Sequence, residues 1–329
     1  AFQISNMAAA RNSEGKRVTP VLRIELSPIQ ELRELHYETF KTNVNPKSNK
    51  KRKEYEQKLQ EKERRINLAA GGEPYITLEN RVDFEKFPEH FNYTCKNIPG
   101  PGVKLWPDPA YIVACDCKDK CTEKGCSCPV YSGSEFAYDE YGRVTLGRRR
   151  PIYECNMKCP CRQNCRNRVV QRGRSVRVCI FRTKKKGWGL KTLDYIRANQ
   201  FVTEYVGEIL TSEDAEIRGQ KYDKMGQTYL FDLDYNEGDC LYTIDAYQYG
   251  NVAHFVNHSC DPNLVVYGVW IDNVDPHLPH IALFATRDIQ PGEELTFDYL
   301  MTGNNQSPPK STKRMKCQCK STNCRKWLW

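Results

Sequence analysis

Asn257-His258-Ser259-Cys260-Asp261-Pro262-Asn263 is a polar loop that runs straight into Leu264–Ile271, an apolar run of eight residues counting its glycine. Downstream, Glu294-Leu295-Thr296-Phe297-Asp298-Tyr299 reads as a short strand. Val176–Phe181, Phe201–Leu210, Thr228–Leu233 and His280–Thr286 read as strands too, set apart by Gly, Asn, Asp and Pro turn signals. Thr211 followed by Asp214 is a capping signal for one short helix. Strands dominate and long helices are few, so the region is mainly β rather than alternating β/α. No Gly-rich dinucleotide fingerprint and no phosphate-binding P-loop occurs, which removes those two enzyme classes. Leu264–Ile271 is the longest apolar stretch and falls far short of the roughly 20 residues needed for a membrane helix. No charged-then-apolar leader precedes it, which points away from secretion.

Near the C-terminus, Cys317, Cys319 and Cys324 form C-x-C-x₄-C and supply three thiolates. A structural zinc needs four ligands, and Cys260 is the best fourth candidate. The alternatives are a buried free thiol at Cys260, or a nucleophile with His258 as its base. The second lacks an orienting third group.

Sixteen cysteines are present, and nine of them lie between Cys115 and Cys165. Cys115, Cys117, Cys121, Cys126 and Cys128 form the first half-motif, and Cys155, Cys159, Cys161 and Cys165 the second. A polar loop near Tyr131–Pro151 separates the two halves. An odd, dense set without a leader favours metal over disulfides. Nine thiolates satisfy three tetrahedral zincs if three of them bridge; two separate four-cysteine sites with one left over is the alternative. Such a closed site stabilises a fold rather than performing chemistry.

The 329-residue chain carries a net charge of +9, and residues 41–66 hold ten Lys/Arg against four Glu. This run offers a weak nucleic-acid contact or a plain solvated helix face. Ser27-Pro28 starts one helical segment, which Asn45-Pro46 ends; Lys47–Arg65 is a second, and Gly71-Gly72 marks a boundary.

Taken in order, Gly187-Trp188-Gly189, Glu204-Tyr205-Val206-Gly207-Glu208, Tyr229-Leu230-Phe231-Asp232-Leu233-Asp234, Asn257-His258-Ser259-Cys260 and Glu294–Tyr299 lie between the nine-cysteine module and the cysteine tail. This arrangement resembles the SET-domain protein lysine methyltransferases, in the suppressor-of-variegation class that modifies lysine nine of histone H3. The resemblance covers residues 75–329. It implies a mainly β SET fold whose C-terminal strand passes under the Asn-His-Ser loop as a pseudo-knot. A zinc-cluster pre-SET module would precede that fold and a zinc-binding post-SET tail would come after it. The implied divisions are 1–74 (basic, partly helical), 75–170 (N-flanking region and pre-SET), 171–300 (SET) and 301–329 (post-SET).

The resemblance further implies S-adenosylmethionine as cofactor, held by Lys186, Gly187, Trp188 and Gly189 with Tyr229, Asn257 and His258. Tyr229 and Tyr299 would line the lysine channel, Tyr299 orienting the lysine nitrogen, and Phe297 would set the degree of methylation. It implies the histone H3 tail or nucleosome as partner, methylation up to the trimethyl state, heterochromatin formation and silencing, and a place on nuclear chromatin. A chromatin-binding module of the same fold without turnover is the other reading. Finally, Lys310-Ser311-Thr312 copies the lysine-serine-threonine order of that tail, as a tethered competitor for the peptide groove or as chance in a linker.

Overall fold

A computed structural model of the protein describes residues 46–105, 112–226, 229–233, 240–301 and 315–328, less positions 120, 123, 124, 134, 149, 273 and 274. The expected helix after Ser27 and the Lys310–Thr312 tripeptide lie outside the described residues. Two compact units are distinguished, residues 1–56 and 57–329.

Small sheets build the larger unit, as the turn-rich sequence requires. One four-stranded sheet runs in the order Ile152–Tyr153, Leu264–Trp270, His280–Ala285, Phe201–Tyr205. Its centre is antiparallel, and Ile152–Tyr153 joins Val269–Trp270 in parallel as an edge. The core on it combines Phe201, Val269, Ala282 and Phe284 with Tyr138, Val144, Leu146 and Val169 from the chain before the sheet. The cysteine module is thereby welded to the β region through a strand and a shared apolar core.

A second sheet orders Ile98–Pro99, Glu208–Thr211, Tyr242–Asp245 and Leu230–Asp232; a third orders Ile76–Glu79, Val178–Arg182 and Trp188–Thr192. Phe201–Leu210, read as one strand, is therefore two, and the halves enter different sheets. The break is at Gly207, where a Cβ would run into the Asp245 carbonyl. Only glycine lets the chain change sheets there. The capping signal holds: Thr211 is the N-cap of the helix Ser212–Met225, and its side chain accepts from the Asp214 N–H.

The polar helix runs Pro46–Ala69, slightly longer than Lys47–Arg65. Pro46, expected to end a segment, opens this one, where its missing N–H costs nothing. The glycine pair closes the helix but does not begin the compact unit, which starts at Gln57. The reason is packing: Leu59 and Ile66 are buried, and Glu63, 3% exposed, accepts from the Leu78 N–H at 2.7 Å and the Tyr75 hydroxyl at 2.8 Å. Asn67 bonds both the N–H and the carbonyl of Ile76. The exposed charges are partly self-paired, Glu61 with Arg64 and Arg65. No described helix is long and apolar enough to cross a membrane.

On the central sheet His280 lies between two carboxylates, Nδ1 at 2.7 Å from Glu204 and Nε2 at 3.3 Å from Asp272. Burial pulls the imidazole pKa down, but Glu204 and Asp272 outweigh it and lift the value to about 10. A pKa raised by folding stabilises below the unfolded value near 6.5, and that contribution disappears as pH rises through about 10. Thermal unfolding should therefore show wild type above His280→Gln by roughly 5 °C at pH 6.5, with the gap closing toward pH 10. A gap independent of pH would remove the charged triad.

Candidate active site and metal centres

Asn257–His258 and Thr296–Phe297 form a parallel two-residue ladder. The Ser259 N–H donates to the Phe297 carbonyl at 3.1 Å. Asn263 closes the crossing from below, accepting from the Thr296 N–H at 2.8 Å and donating to the Glu294 carbonyl at 2.8 Å. The strand 296–297 thus lies against the 257–263 loop, as the pseudo-knot requires.

On one side of this crossing the structure gathers Lys186, Gly187, Trp188, Gly189 and Asn257. Gly187 has φ +71°, the left-handed turn that opens the strand Trp188–Thr192. Asn257 Nδ2 donates to the Trp188 carbonyl at 3.2 Å and to Glu294 at 3.0 Å, while Lys186 Nζ pairs with Glu294 at 2.6 Å. A Cβ at Gly189 would crowd the Asn257 amide and the Glu294 carboxylate, each at 3.0 Å. Glu294 is the centre of this group. Sequence reasoning passed over it although it stands in the quoted Glu294–Tyr299 stretch, because its role lies in a contact 108 positions away.

The other side is aromatic. Tyr299 donates its hydroxyl proton to the Val256 carbonyl at 2.8 Å, and its ring is 4.8 Å from Phe297. The Tyr205 hydroxyl donates to the Tyr229 carbonyl at 2.9 Å, and its ring stands edge-on to Phe297 at 6.4 Å. Tyr229 lies flat on the His254 ring, centroids 4.4 Å apart and planes 8° off parallel. Tyr205, which stands in the quoted Glu204–Glu208 stretch, and His254 complete the cluster; neither carries a sequence signal for this role, since a strand tyrosine and an isolated histidine have no spacing pattern. Burial pushes Tyr229 up to about 12 and drives Tyr299 and Tyr205 well above the usual phenol range. Burial also drags His254 down to about 4. The aromatic cluster is uncharged.

His258 joins the two sides to the tail. The Tyr299 N–H donates to Nδ1 at 3.2 Å, so the ring proton sits on Nε2, which faces Cys260 Sγ at 3.2 Å. Burial, opposed by Asp298 but helped by Arg325 and Lys186, draws its pKa down to about 4 and keeps it neutral. Both ring nitrogens are thus committed inside the protein.

Zinc at 2.3 Å from each sulfur places neighbouring sulfurs about 3.8 Å apart, whereas a disulfide needs about 2.05 Å. Cys260 and Cys317 are 3.8 Å apart, and Cys260, Cys317, Cys319 and Cys324 form one four-sulfur group. Arg325 locks this group onto the Phe297-Asp298-Tyr299 strand, donating its N–H to Cys260 Sγ at 3.4 Å and its guanidinium to Asp298 at 2.7 Å. In the larger module, Cys115–Cys121, Cys121–Cys155 and Cys128–Cys159 sulfurs are 3.8, 3.5 and 3.7 Å apart. Three four-sulfur groups overlap there, and Cys115, Cys121 and Cys155 each belong to more than one. Those three are the bridging ligands that a nine-thiolate, three-zinc cluster needs. Cys117, Cys126, Cys128, Cys159 and Cys161 complete the groups, and Cys165 faces Cys121 and Cys155. The donor sets fit zinc.

Arg168 answers the cluster's charge. It is 2% exposed, donates to the carbonyls of Cys155, Asn156 and Cys159 and to Cys161 Sγ, and has no carboxylate at ion-pair distance among the described residues. A buried guanidinium needs a counter-charge. Three divalent zincs on nine thiolates leave three negative charges beside it.

Fold and site together define a SET-domain protein, and comparison agrees: residues 187–300 match the SET domain and residues 70–168 the Pre-SET motif. Histone-lysine N-methyltransferase SUV39H2 of Xenopus tropicalis is 51% identical over 262 residues, 77% of this chain and 63% of that protein. SUV39H1 of Xenopus laevis is 45% identical over 312 residues, 89% of this chain and 70% of its own length. Among solved structures, KRYPTONITE in complex with mCHH DNA, H3(1-15) peptide and SAH superposes with a TM-score of 0.68 at 32% identity, covering 80% of this chain and 53% of that one. The chain belongs to the family of the SUV39H1 and SUV39H2 histone-lysine N-methyltransferases, and spans about two thirds of the length of these two relatives.

The two metal centres should respond differently to single changes. Cys324→Ser should retain about three of four zincs and a native circular dichroism spectrum, with the active site lost because the tail no longer docks. Cys161→Ser should unfold or aggregate the protein, and Arg168→Met should release cluster zinc to a chromogenic chelator several-fold faster. Equal, mild effects of all three on zinc content would overturn the division of roles.

Proposed function

We propose that the chain is the catalytic portion of a histone-lysine N-methyltransferase that moves methyl groups from S-adenosylmethionine to the histone H3 tail, at lysine nine and up to the trimethyl state. Its place is nuclear chromatin, in heterochromatin formation and silencing. Within it we assign residues 75–170 to the N-flanking and zinc-cluster module, 171–300 to the catalytic domain and 301–329 to the tail; residues 1–74 stand before them. The observation that carries this reading is the crossing of 257–258 with 296–297, which sets the polar group of Lys186, Glu294 and Asn257 against an uncharged tyrosine wall. The relatives' names and the SAH and H3 peptide of the KRYPTONITE complex support it.

Bound S-adenosylmethionine supplies a sulfonium-activated methyl group. The residues present suit it. Lys186 is a half-buried cation for its carboxylate, Trp188 an aromatic face, and Asn257 an amide at hydrogen-bond range of the same strand. Gly187 and Gly189 keep side chains out of the way. His258 serves this face by holding Tyr299 and the tail in place, since its ring nitrogens are used internally.

Tyr299, Tyr229 and Tyr205 shape the lysine channel. The Tyr299 hydroxyl gives its proton to the Val256 carbonyl, so its oxygen lone pairs are left to accept from the lysine nitrogen and aim it. No group in this wall acts as a base: the tyrosines stay protonated through pH 10 and the histidines stay neutral above about pH 5. Desolvation in the channel must therefore favour the neutral amine, of which a free lysine offers only about 1 part in 2,500 at pH 7.

Methyl transfer from labelled S-adenosylmethionine to a panel of histone-tail peptides tests the assignment. H3 peptides carrying lysine nine should be labelled, and Tyr299→Phe should lose at least about 100-fold in kcat; no labelling of any peptide would leave a binding module. At saturating peptide, kcat should climb from pH 7 toward about pH 9–10, following lysine deprotonation alone. A flat profile would argue against it. Phe297→Tyr adds a hydroxyl that can hold a water against the rotating nitrogen, so its products should stop at mono- or dimethyl where wild type reaches trimethyl. Identical mass spectra would free Phe297 of that role.

A further inference from the structure

Positive charge is densest not in residues 41–66 but in residues 143–182, which hold eleven Arg and one Lys against a single acid, Glu154. Much of it is used internally. Arg168 faces the cysteine cluster, Arg174 pairs with Glu73 at 3.0 Å, Arg177 with Asp194 at 2.6 Å and Arg182 with Asp83 at 3.0 Å. Two of the others, Arg143 and Arg172, reach a cleft of about 800 Å³ where this segment meets the strand Phe201–Tyr205. Arg143, Arg172, Arg174 and Arg197 line it, with Gln200 and Tyr141.

These four arginines are not equivalent. Arg174 is buried and committed to Glu73 and the Pro74 carbonyl. Arg143 shares its charge with Asp139 at 2.8 Å. Arg172 and Arg197 are exposed and form no ion pair with any described residue. The acids near the cleft are already engaged: Asp139 accepts from Arg143 and from the Tyr141 N–H, and Asp288 from the Tyr195 hydroxyl and the Ala198 N–H. Gly142, at φ +76°, makes the left-handed turn beside this group, with the Arg172 guanidinium at ordinary contact distance, 3.8 Å from where a Cβ would stand. At the rim Tyr141 is 74% exposed, with the Arg143 guanidinium 4.9 Å from its ring centroid.

We propose that this cleft binds the phosphodiester backbone of a nucleic acid. Two guanidinium forks outside any described ion pair, Arg197 resting over the Tyr195 ring at 6.0 Å, with a third partly shared, match phosphate oxygens in charge and in bidentate geometry. The exposed Tyr141 ring beside them offers a stacking face for a base, a feature that an acidic peptide would leave unused. The site is separate from the crossing at 257–258 and does not depend on the methyl-transfer reading.

Fluorescence anisotropy with a labelled duplex of roughly 20 base pairs, titrated from about 50 to 200 mM salt, tests it. Arg172→Glu/Arg197→Glu should weaken binding at least about tenfold and flatten the log–log salt slope by about 2, the number of phosphate contacts removed. Both positions are exposed, so melting and zinc content should match wild type. Lys50→Glu/Lys53→Glu on the polar helix should leave most of the affinity in place. Duplex binding by the arginine variant equal to wild type would overturn the proposal. So would retained duplex binding with lost binding of poly-glutamate, which would assign the cleft to an acidic protein.

Discussion

Two residues of parallel ladder hold this molecule's chemistry together. Asn257–His258 against Thr296–Phe297 is a minimal sheet, yet it touches every functional part. Asn257 reaches back to the Trp188 turn and Glu294, and His258 reaches Tyr299 and Cys260. So short a pairing cannot be stable on its own. It persists because Asn263 stitches the loop to residues 294 and 296, and because Leu264–Trp270 anchors the loop in the central sheet. Threading of this kind is rare, and here it places the two halves of one site on either side of a single strand.

Metal does for the flanking regions what apolar burial does for the centre. Among its described residues the nine-cysteine module has almost no aliphatic core of its own, its buried cluster being the sulfurs and Phe136. Zinc supplies the folding free energy that such a segment lacks, and Arg168 lowers the cost of burying the resulting charge. The tail group works differently. Few residues are buried in it, and its links run through Cys260 and through Arg325 to Asp298, next to Tyr299. One centre stabilises a module; the other assembles a site.

Much of this was legible in the residues, for identifiable reasons. Metal-ligand spacing survives in sequence because each half-motif is local, and the Thr211 cap survives because its bond spans three residues. The order of the strand motifs pointed to the family. What the cysteine spacing could not say is which sulfurs bridge, since Cys121 and Cys155 meet across 34 positions. The places of Glu294, Tyr205 and His254 in the site were hidden for the same reason: each acts through contacts far along the chain. Gly207 looked like the interior of a strand because its necessity arises from the Asp245 carbonyl across a sheet edge. At Gly71-Gly72 the sequence marks the end of the helix, and the Pre-SET match begins beside it at residue 70. That the helix also packs with the β region shows in the bonds of Glu63 and Asn67 to the strand Ile76–Glu79, contacts with no local signal in the sequence.

If the crossing is the structural keystone, its amides should open only when the whole molecule opens. Native-state hydrogen exchange of the zinc-loaded protein reads this directly at Ser259, bonded to the Phe297 carbonyl, at Thr296, bonded to Asn263, and at Tyr299, bonded to His258. All three should exchange with the same free energy as the central amides of His280–Ala285, the value of global unfolding. Exchange at separate, lower free energies, each unrelated to the others, would contradict the claim that one short ladder holds both halves of the site.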